Sequence, residues 1–187
     1  NEKEFLENSV ERNQFICKLE SQMIGNTLIS FRRDEHGQNI IRHLRAKYDV
    51  DDKPLYYINH TIKPHVRIKY VDEMKLLKSS TAVVSIGTFS AGINMPNIHN
   101  IINAVQIQST IDVNQLVGRG LRIDSDKNTL NVYDLGDDLT YKGQPNTTFK
   151  HFKTRLQIYA EQGYEIKLIK YQVPDAESSL LLEASVA

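Results

Sequence analysis

Two arginines spaced three residues apart, Arg119 and Arg122, are the residues of this sequence best suited to chemistry on a phosphate. Arginine keeps its charge at physiological pH and presents a planar fork of donors that fits phosphate oxygens. Residues three or four apart share one face of a helix, so Gln115 would point the same way as both arginines. Gly118 and Gly120 weaken a purely structural helix here. The stretch NQLVGRGLRID therefore predicts a phosphate-binding turn. The alternative is that both arginines are solvated on the surface of a helix.

A second polar loop, TFSAGINMP, follows the apolar run TAVVSIG. Gly92 frees the backbone for a close approach, and Pro96 ends the turn. The side chains that can form hydrogen bonds are those of Thr88, Ser90 and Asn94. This composition is typical of a ligand-binding loop, although a tight structural connection would use the same residue types.

A third loop, SFRRDEH, follows the first apolar run of the chain. Arg32 and Arg33 stand directly before a predicted helix, and the N-terminus of a helix attracts anions. Such a pair favours contact with the phosphate backbone of a nucleic acid. A solvated surface loop is the alternative.

The elements that must position these loops alternate in type along the chain. Short apolar runs predict strands in LISF, PLYYINH, TAVVSIG, IHNIINAVQ, TLNVYDLGD and YEIKLIKYQV. Helical periodicity predicts helices over 1–23, over DEHGQNIIRHLRAKY with Asp34 as its N-cap, over HVRIKYVDEMKLLKSS and over FKHFKTRLQIYAEQG, which Gly163 would close. A shorter helix is predicted in IDVNQLVGRGLR.

This alternation predicts an α/β fold, with an open, mainly parallel sheet and helices on both faces. Ligands of such sheets bind beyond the carboxyl ends of the strands, where all three loops fall. We expect one domain over residues 1–173. Residues 174–187 are expected to form a flexible tail that becomes ordered only when something binds it.

The composition of the sequence excludes several functional classes for this protein. The 187 residues are 40% hydrophobic and 25% charged, with 23 basic and 23 acidic side chains, so a broad basic surface is excluded while a local basic stripe is not. Cys17 is the single cysteine, which excludes an internal disulfide and a cysteine zinc site and predicts a buried thiol in a reducing, cytoplasmic compartment. No apolar run approaches the ~18 residues of a membrane span. We expect no metal site and no membrane partner.

Some catalytic motifs are missing. The sequence has no G-x-x-x-x-G-K-[ST] loop, no acidic strand-end motif for a magnesium ion and no Ser/His/Asp or Cys/His grouping at familiar spacing. This chain therefore cannot readily hold alone whatever phosphate the arginines bind. The missing motifs, together with the absent initiator methionine, lead us to expect a fragment of a longer protein or a processed product.

The order of the motifs resembles a known family. LISFRR, TFSAGINMPNIHNII and QLVGRGLR resemble motifs IV, V and VI of the second, C-terminal RecA-like domain of superfamily 2 helicases. YDLGDDL, with the helix and strand that follow it, is similar to the same region of the UvsW-like DNA helicases of T-even phages. The resemblance covers roughly residues 1–173. It implies a RecA-like fold.

The resemblance also implies different roles for two RecA-like domains. A first RecA-like domain would hold ATP and Mg²⁺, and this domain would close over the nucleotide. Arg119 and Arg122 would be the arginine fingers, and Gln115 would help to couple the two domains. Asn94 replaces an aspartate of the family's ribose-contacting segment. The remaining implied roles are a nucleotide contact at Gly92 and DNA-backbone contacts at Arg32, Arg33, Thr88 and Ser90.

We therefore expect the C-terminal motor domain of an ATP-dependent DNA helicase or translocase, inactive as an ATPase on its own. Its partners would be single-stranded or branched DNA and the N-terminal RecA-like domain of the same protein. If it is phage-encoded, it would act in the host cytoplasm, in DNA recombination and repair. Three alternatives stay open: a translocase that does not unwind, a non-catalytic RecA-like module that binds DNA or protein, and a phosphate-binding doubly wound enzyme unrelated to helicases.

Overall fold

The structure, a computed structural model, describes residues 2–48, 52–90, 97–107, 114, 117–118, 129–171 and 179–186, the last range through its backbone alone. The helices are α1 (Glu2–Asn8), α2 (Val10–Glu20), α3 (Asp34–Lys47), α4 (Pro64–Leu76), α5 (Ile86–Ser90) and α6 (Thr147–Glu161). The strands are β1 (Asn26–Phe31), β2 (Leu55–Ile58), β3 (Thr81–Ser85), β4 (Ile98–Asn103), β5 (Leu130–Gly136), β6 (Glu165–Tyr171) and β7 (Ser179–Val186).

All seven strands form one sheet in the order β2-β3-β1-β4-β5-β7-β6. The first five strands in that order run parallel, and the register places Ile29 of β1 opposite Val83 of β3 and Ile102 of β4. β7 pairs antiparallel with both β5 and β6. The carboxyl ends of the parallel strands meet at one edge, which is where the candidate site must lie.

The two faces of the sheet carry separate cores, because alternate residues of a strand point to opposite faces. On one face, Leu28 and Val84 pack with residues of α4 and α6, including Met74 and Phe152. On the other face, Phe31 and its neighbours pack with apolar residues of α2 and α3. The predicted α/β fold, a mainly parallel sheet with helices on both faces, is confirmed.

The six predicted strands are all present, and the predicted helix-closing Gly163 has a φ of +75°, in the left-handed region that glycine tolerates. The single helix predicted over 1–23 is wrong. The chain forms α1 and α2 instead, because Ser9 takes the extended conformation of an N-cap, and its side chain accepts a hydrogen bond from the backbone N–H of Arg12 at 3.1 Å.

The expected tail is also wrong over residues 179–186. These residues form β7, whose backbone pairs with β5 on one side and with β6 on the other. A strand inserted between two others has hydrogen-bond partners along both edges, so the sheet itself orders it. The apolar run SLLLEASV has strand-like composition, but its terminal position favoured the opposite interpretation.

Among the described residues, no helix has both the length and the apolar character needed to cross a bilayer.

Cys17 is expected to be chemically inert in the folded protein. It is buried on α2, where burial, followed by the nearby Glu20 carboxylate, raises the pKa of its thiol to about 12. Since the thiolate is the reactive form, a disulfide reagent at pH 8 should leave Cys17 unmodified until denaturant is added. Ser21→Cys, at an exposed position one turn further on, should add one rapidly reacting thiol. Stoichiometric reaction of the native, unsubstituted protein would contradict this burial.

Candidate nucleotide and nucleic-acid interface

Arg32 and Arg33 lie at the carboxyl edge of the sheet, directly after β1, and both are exposed. Arg33 forms an ion pair in which its Nε lies 3.4 Å from Oε2 of Glu7 on α1. Burial raises the pKa of Glu7, although Arg33 and the other nearby cations oppose the shift. The two arginines thus place positive charge at the edge where the sequence predicts a phosphate contact.

The N-terminus of α3 differs from the prediction in one respect. Asp34 is not the N-cap, a position that Arg33 occupies without a capping side-chain bond. The Asp34 carboxylate instead accepts hydrogen bonds from the Asn59 amide at 3.0 Å and from the Tyr57 hydroxyl at 3.2 Å. It therefore joins α3 to the end of β2, an interaction across the sheet edge that a local capping rule does not consider.

Thr88 is buried in α5. Ser85 caps this short helix, because its hydroxyl accepts from the Thr88 backbone N–H at 3.3 Å and donates to the Thr88 hydroxyl oxygen at 2.7 Å. Thr88 thus holds the start of the second loop in place. The side chain of Ser90, together with Gly92 and Asn94, lies outside the described residues.

Gln115, Arg119 and Arg122 also lie outside the described residues. Around them, Asn114, Val117 and Gly118 are helical, in agreement with the predicted short helix. Val117 is buried in the same core cluster as Phe149 and Phe152 of α6. The arginines therefore follow a buried anchor by two and five residues.

Gly118 is exposed, and a Cβ added there would meet no described atom within 4 Å. Glycine in a helix costs about 1 kcal/mol relative to alanine. No packing contact within the described part of the domain compensates for that cost.

A buried ion-pair network joins α6 to β5 and was not predicted. Arg155 of α6 and Asp134 of β5 are both fully buried, and two hydrogen bonds join them, from Nε to Oδ2 at 2.6 Å and from Nη2 to Oδ1 at 2.9 Å. Asp134 also accepts from the Asn103 amide and the Tyr159 hydroxyl, each at 2.9 Å. Burial alone would lower the pKa of Arg155, but the adjacent Asp134 carboxylate raises it.

The Arg155 guanidinium also reaches the chain that leaves β4. We call Ala104–Ile107 the exit segment, because it follows β4 and precedes the stretch that contains Gln115, Arg119 and Arg122. Nη1 of Arg155 donates to the Ile107 carbonyl at 2.7 Å. The end of the exit segment is thus fixed by a charged donor.

A second arginine holds the beginning of the exit segment. Arg12 of α2 is buried, and its Nε lies 2.8 Å from Oδ1 of Asp137, which directly follows β5. Its Nη2 donates to the Ala104 carbonyl at 3.2 Å. Both aspartates belong to the stretch DLGDD, at the end of the predicted strand TLNVYDLGD.

A signal in the sequence could have revealed these arginines. Arg155 stands three residues after Phe152 and three before Ile158, on the apolar stripe of α6, and Arg12 stands four residues before Ile16 on the stripe of α2. Arginine at a core position is rarely buried unless it is paired. An arginine on an apolar stripe therefore predicts a buried acidic partner.

His36, one turn into α3, is expected to make folding pH-dependent. Its side chain is buried, and neither ring nitrogen has a hydrogen-bond partner among the described residues. Burial, assisted by the Arg12 charge, lowers its pKa from 6.5 to about 3. The unfolded state therefore binds the proton first, and the stability that neutral His36 provides above pH 6.5 is lost as the pH falls from 6.5 towards 3.

We expect the free energy of unfolding to fall by roughly 2 kcal/mol from this group between pH 7 and pH 5, at up to 1.36 kcal/mol per pH unit. Urea unfolding at both pH values measures it, and His36→Leu is the control that lacks the titrating ring. An equal fall in the wild type and in His36→Leu would contradict the assignment to His36.

Among the described residues, no group of three or more His, Cys, Asp or Glu side chains could hold a metal ion.

Comparison with known proteins identifies the domain. The chain is 30% identical over 171 residues to the ATP-dependent DNA helicase UvsW of Enterobacteria phage T4, and the match covers 82% of this chain and 32% of that protein. The crystal structure of T4 UvsW superposes with a TM-score of 0.71 at 26% identity, over 86% of this chain and 34% of that one. The chain belongs to the superfamily 2 helicases. It is their C-terminal RecA-like domain.

The fold of this helicase domain recurs at lower identity. The C-terminal domain of the DEAD-box protein Dbp5 matches with a TM-score of 0.59 at 13% identity, over 84% of this chain and 81% of that one. No protein-family model matches the chain. The helicase domain spans about a third of the length of the curated relative.

Proposed function

We propose that this chain is the C-terminal motor domain of an ATP-dependent DNA helicase or translocase. The observation that carries the proposal is the 30% identity to the phage T4 helicase, which extends over 82% of the chain. In such a motor, this domain contributes part of an ATP site that it shares with an N-terminal RecA-like domain of the same protein. Mg²⁺ and most of the nucleotide would be held by that other domain.

Arg119 and Arg122 are the arginine fingers of this proposal. Charge spreads over the equatorial oxygens of a phosphoryl group in transfer, and guanidinium groups placed there stabilise the transition state. Two features of the structure support this role: Val117 is buried directly before the arginines, and Gly118 has open space around it. Gln115 would couple the two domains, while Gly92 and Asn94 would contact the nucleotide.

DNA would be held at the loops after β1 and β3. Arg32 and Arg33 are exposed at the carboxyl edge, where arginine can position a nucleic-acid backbone without reading its sequence. The second loop begins at Thr88, whose buried hydroxyl fixes its start, and Ser90 would reach the backbone. Opening and closing of the shared ATP site would move these contacts along the strand, in recombination or repair of branched DNA.

The experiment that tests the proposal compares ATP turnover by the intact protein and by the isolated 187-residue chain, each with and without single-stranded DNA. The account predicts DNA-stimulated turnover by the intact protein and none by the chain alone. Tight ATP binding or turnover by the isolated chain would overturn the shared site in favour of a self-contained phosphate-binding enzyme. An intact protein that binds DNA without hydrolysing ATP would instead be a non-catalytic module.

Two strand-displacement assays distinguish a motor that unwinds duplexes from a translocase that does not unwind. An unwinding motor should displace the labelled strand of a branched duplex. A translocase that does not unwind should displace only a triplex-forming strand.

A further inference from the structure

We infer that Arg155 and Arg12, paired with Asp134 and Asp137 of the DLGDD stretch, form a clamp that positions the arginine-finger segment. The inference rests on the proposed function of Arg119 and Arg122. Neither clamp arginine would touch the nucleotide. Both are therefore positioning residues.

The clamp acts on the exit segment at both of its ends. Arg12 donates to the Ala104 carbonyl at 3.2 Å, and Arg155 donates to the Ile107 carbonyl at 2.7 Å. The two donors come from opposite faces of the sheet, since α2 belongs to one core and α6 to the other. Two guanidinium groups therefore hold the first and the last residue of a four-residue segment.

Each guanidinium is itself held by a carboxylate at the end of β5. Asp134 binds Arg155 through both of its oxygens, and Asp137 binds Arg12 at 2.8 Å. Ser30, Asn103 and Asp134 form a ladder across β1, β4 and β5, because Ser30 donates to Asn103 at 3.0 Å and Asn103 donates to Asp134 at 2.9 Å. The ladder thus connects the clamp to β1, the strand that Arg32 and Arg33 follow.

A second anchor follows the exit segment in the sequence. Val117 belongs to the same buried core cluster as Ile107 and as Phe149 and Phe152 of α6, which precede Arg155 by about two turns and one turn. Described residues on both sides of the stretch between Ile107 and Val117 are therefore held in one core. A finger must lie within a fraction of an ångström of its productive position, and a shift of about 1 Å costs roughly 10²-fold in rate.

The test uses the intact protein and the substitution Arg155→Met, with Arg42→Met on the exposed face of α3 as the matched control. Arg155→Met should lower kcat for DNA-stimulated ATP hydrolysis about 10²-fold while KM for ATP changes by less than about threefold. Arg155→Lys, which keeps the charge but loses the planar fork, should recover only part of the rate. Unchanged kcat in Arg155→Met would overturn the inference.

Hydrogen exchange measured in the absence of nucleotide distinguishes a positioning role of Arg155 from a direct catalytic role. Hydrogen exchange of the exit-segment amides should become at least about tenfold faster in Arg155→Met, because a charged hydrogen bond to Ile107 is lost. Exchange in α3 should be unchanged. If Arg155→Met fails to fold, Asp134→Asn/Arg155→Met removes the unpaired charge and is measured in its place, with the same expected result. Wild-type exchange in a folded variant would overturn the clamp.

A mutant cycle between Arg155→Met and the paired substitution Arg119→Ala/Arg122→Ala, followed by single-turnover hydrolysis, distinguishes failure of the clamp from failure of the proposed function. If Arg155 acts through the fingers, adding Arg155→Met to Arg119→Ala/Arg122→Ala should not slow hydrolysis further. If the rate losses instead multiply, the clamp is overturned and the finger assignment stays intact. Normal hydrolysis by Arg122→Ala would overturn both.

Discussion

Replacing Arg122 by alanine in the intact protein is expected to lower DNA-stimulated ATP turnover by about 10³-fold or more, the range found for arginine fingers. The physical reason is that the guanidinium stabilises charge that develops only in the transition state. ATP binding should therefore change little while kcat falls. Steady-state hydrolysis and equilibrium binding of a fluorescent ATP analogue measure the two quantities separately.

Arg42→Ala is the matched control, since it removes an exposed arginine from α3, and this variant should hydrolyse ATP normally. Arg119→Ala should resemble Arg122→Ala. Near-normal turnover in Arg122→Ala would mean that the pair is structural or binds DNA. The assignment of a motor would then depend on the loop after β3 alone.

The substitution Asp134→Ala is expected to have the largest effect on stability. It leaves the Arg155 guanidinium fully buried without its carboxylate, and breaking one partner of a buried pair costs about 3–5 kcal/mol. It also removes the acceptor of the Asn103 amide and the Tyr159 hydroxyl. The loss is a large part of the roughly 5–15 kcal/mol that holds a domain together.

Urea unfolding of the 187-residue chain, followed by circular dichroism, measures this loss. Asp138→Ala is the matched control, because among the described residues the Asp138 carboxylate accepts from Thr140 alone, in an exposed turn, and loss of this contact should cost under about 1 kcal/mol. A midpoint for Asp134→Ala equal to that of Asp138→Ala would show that the buried pair contributes nothing to folding.

Much of the fold is predictable because its signals are local. Each strand of the parallel sheet is a short apolar run, and each helix between them carries an apolar stripe, so alternation alone gives the doubly wound arrangement. Two features were predicted wrongly for different reasons. The break at Ser9 depends on a local capping bond, a signal that the apolar periodicity over residues 1–23 outweighed. The insertion of β7 between β5 and β6 depends on pairing with β5, which is distant in sequence, and no local pattern encodes that pairing.

The candidate site also has one part that the sequence predicts and one part that it does not. The loops that carry Arg32, Arg33 and Thr88 follow the predicted strands, because position after a strand in an open sheet is a topological rule. The clamp was not predicted, because Arg12 and Asp137 are 125 residues apart in the sequence. Arginines are ordinarily interpreted as surface residues, and only their place on apolar stripes marks these two as buried.

In the proposed function, Arg122 completes an ATP site whose remainder belongs to another domain. Binding of ADP with aluminium fluoride, which mimics the phosphoryl group in transfer, tests this role in the intact protein with DNA. We expect Arg122→Ala to bind this mimic at least about 10²-fold more weakly, while its affinity for an ATP analogue stays within about threefold of the wild type. Equal affinity of the wild type and Arg122→Ala for the mimic would contradict it.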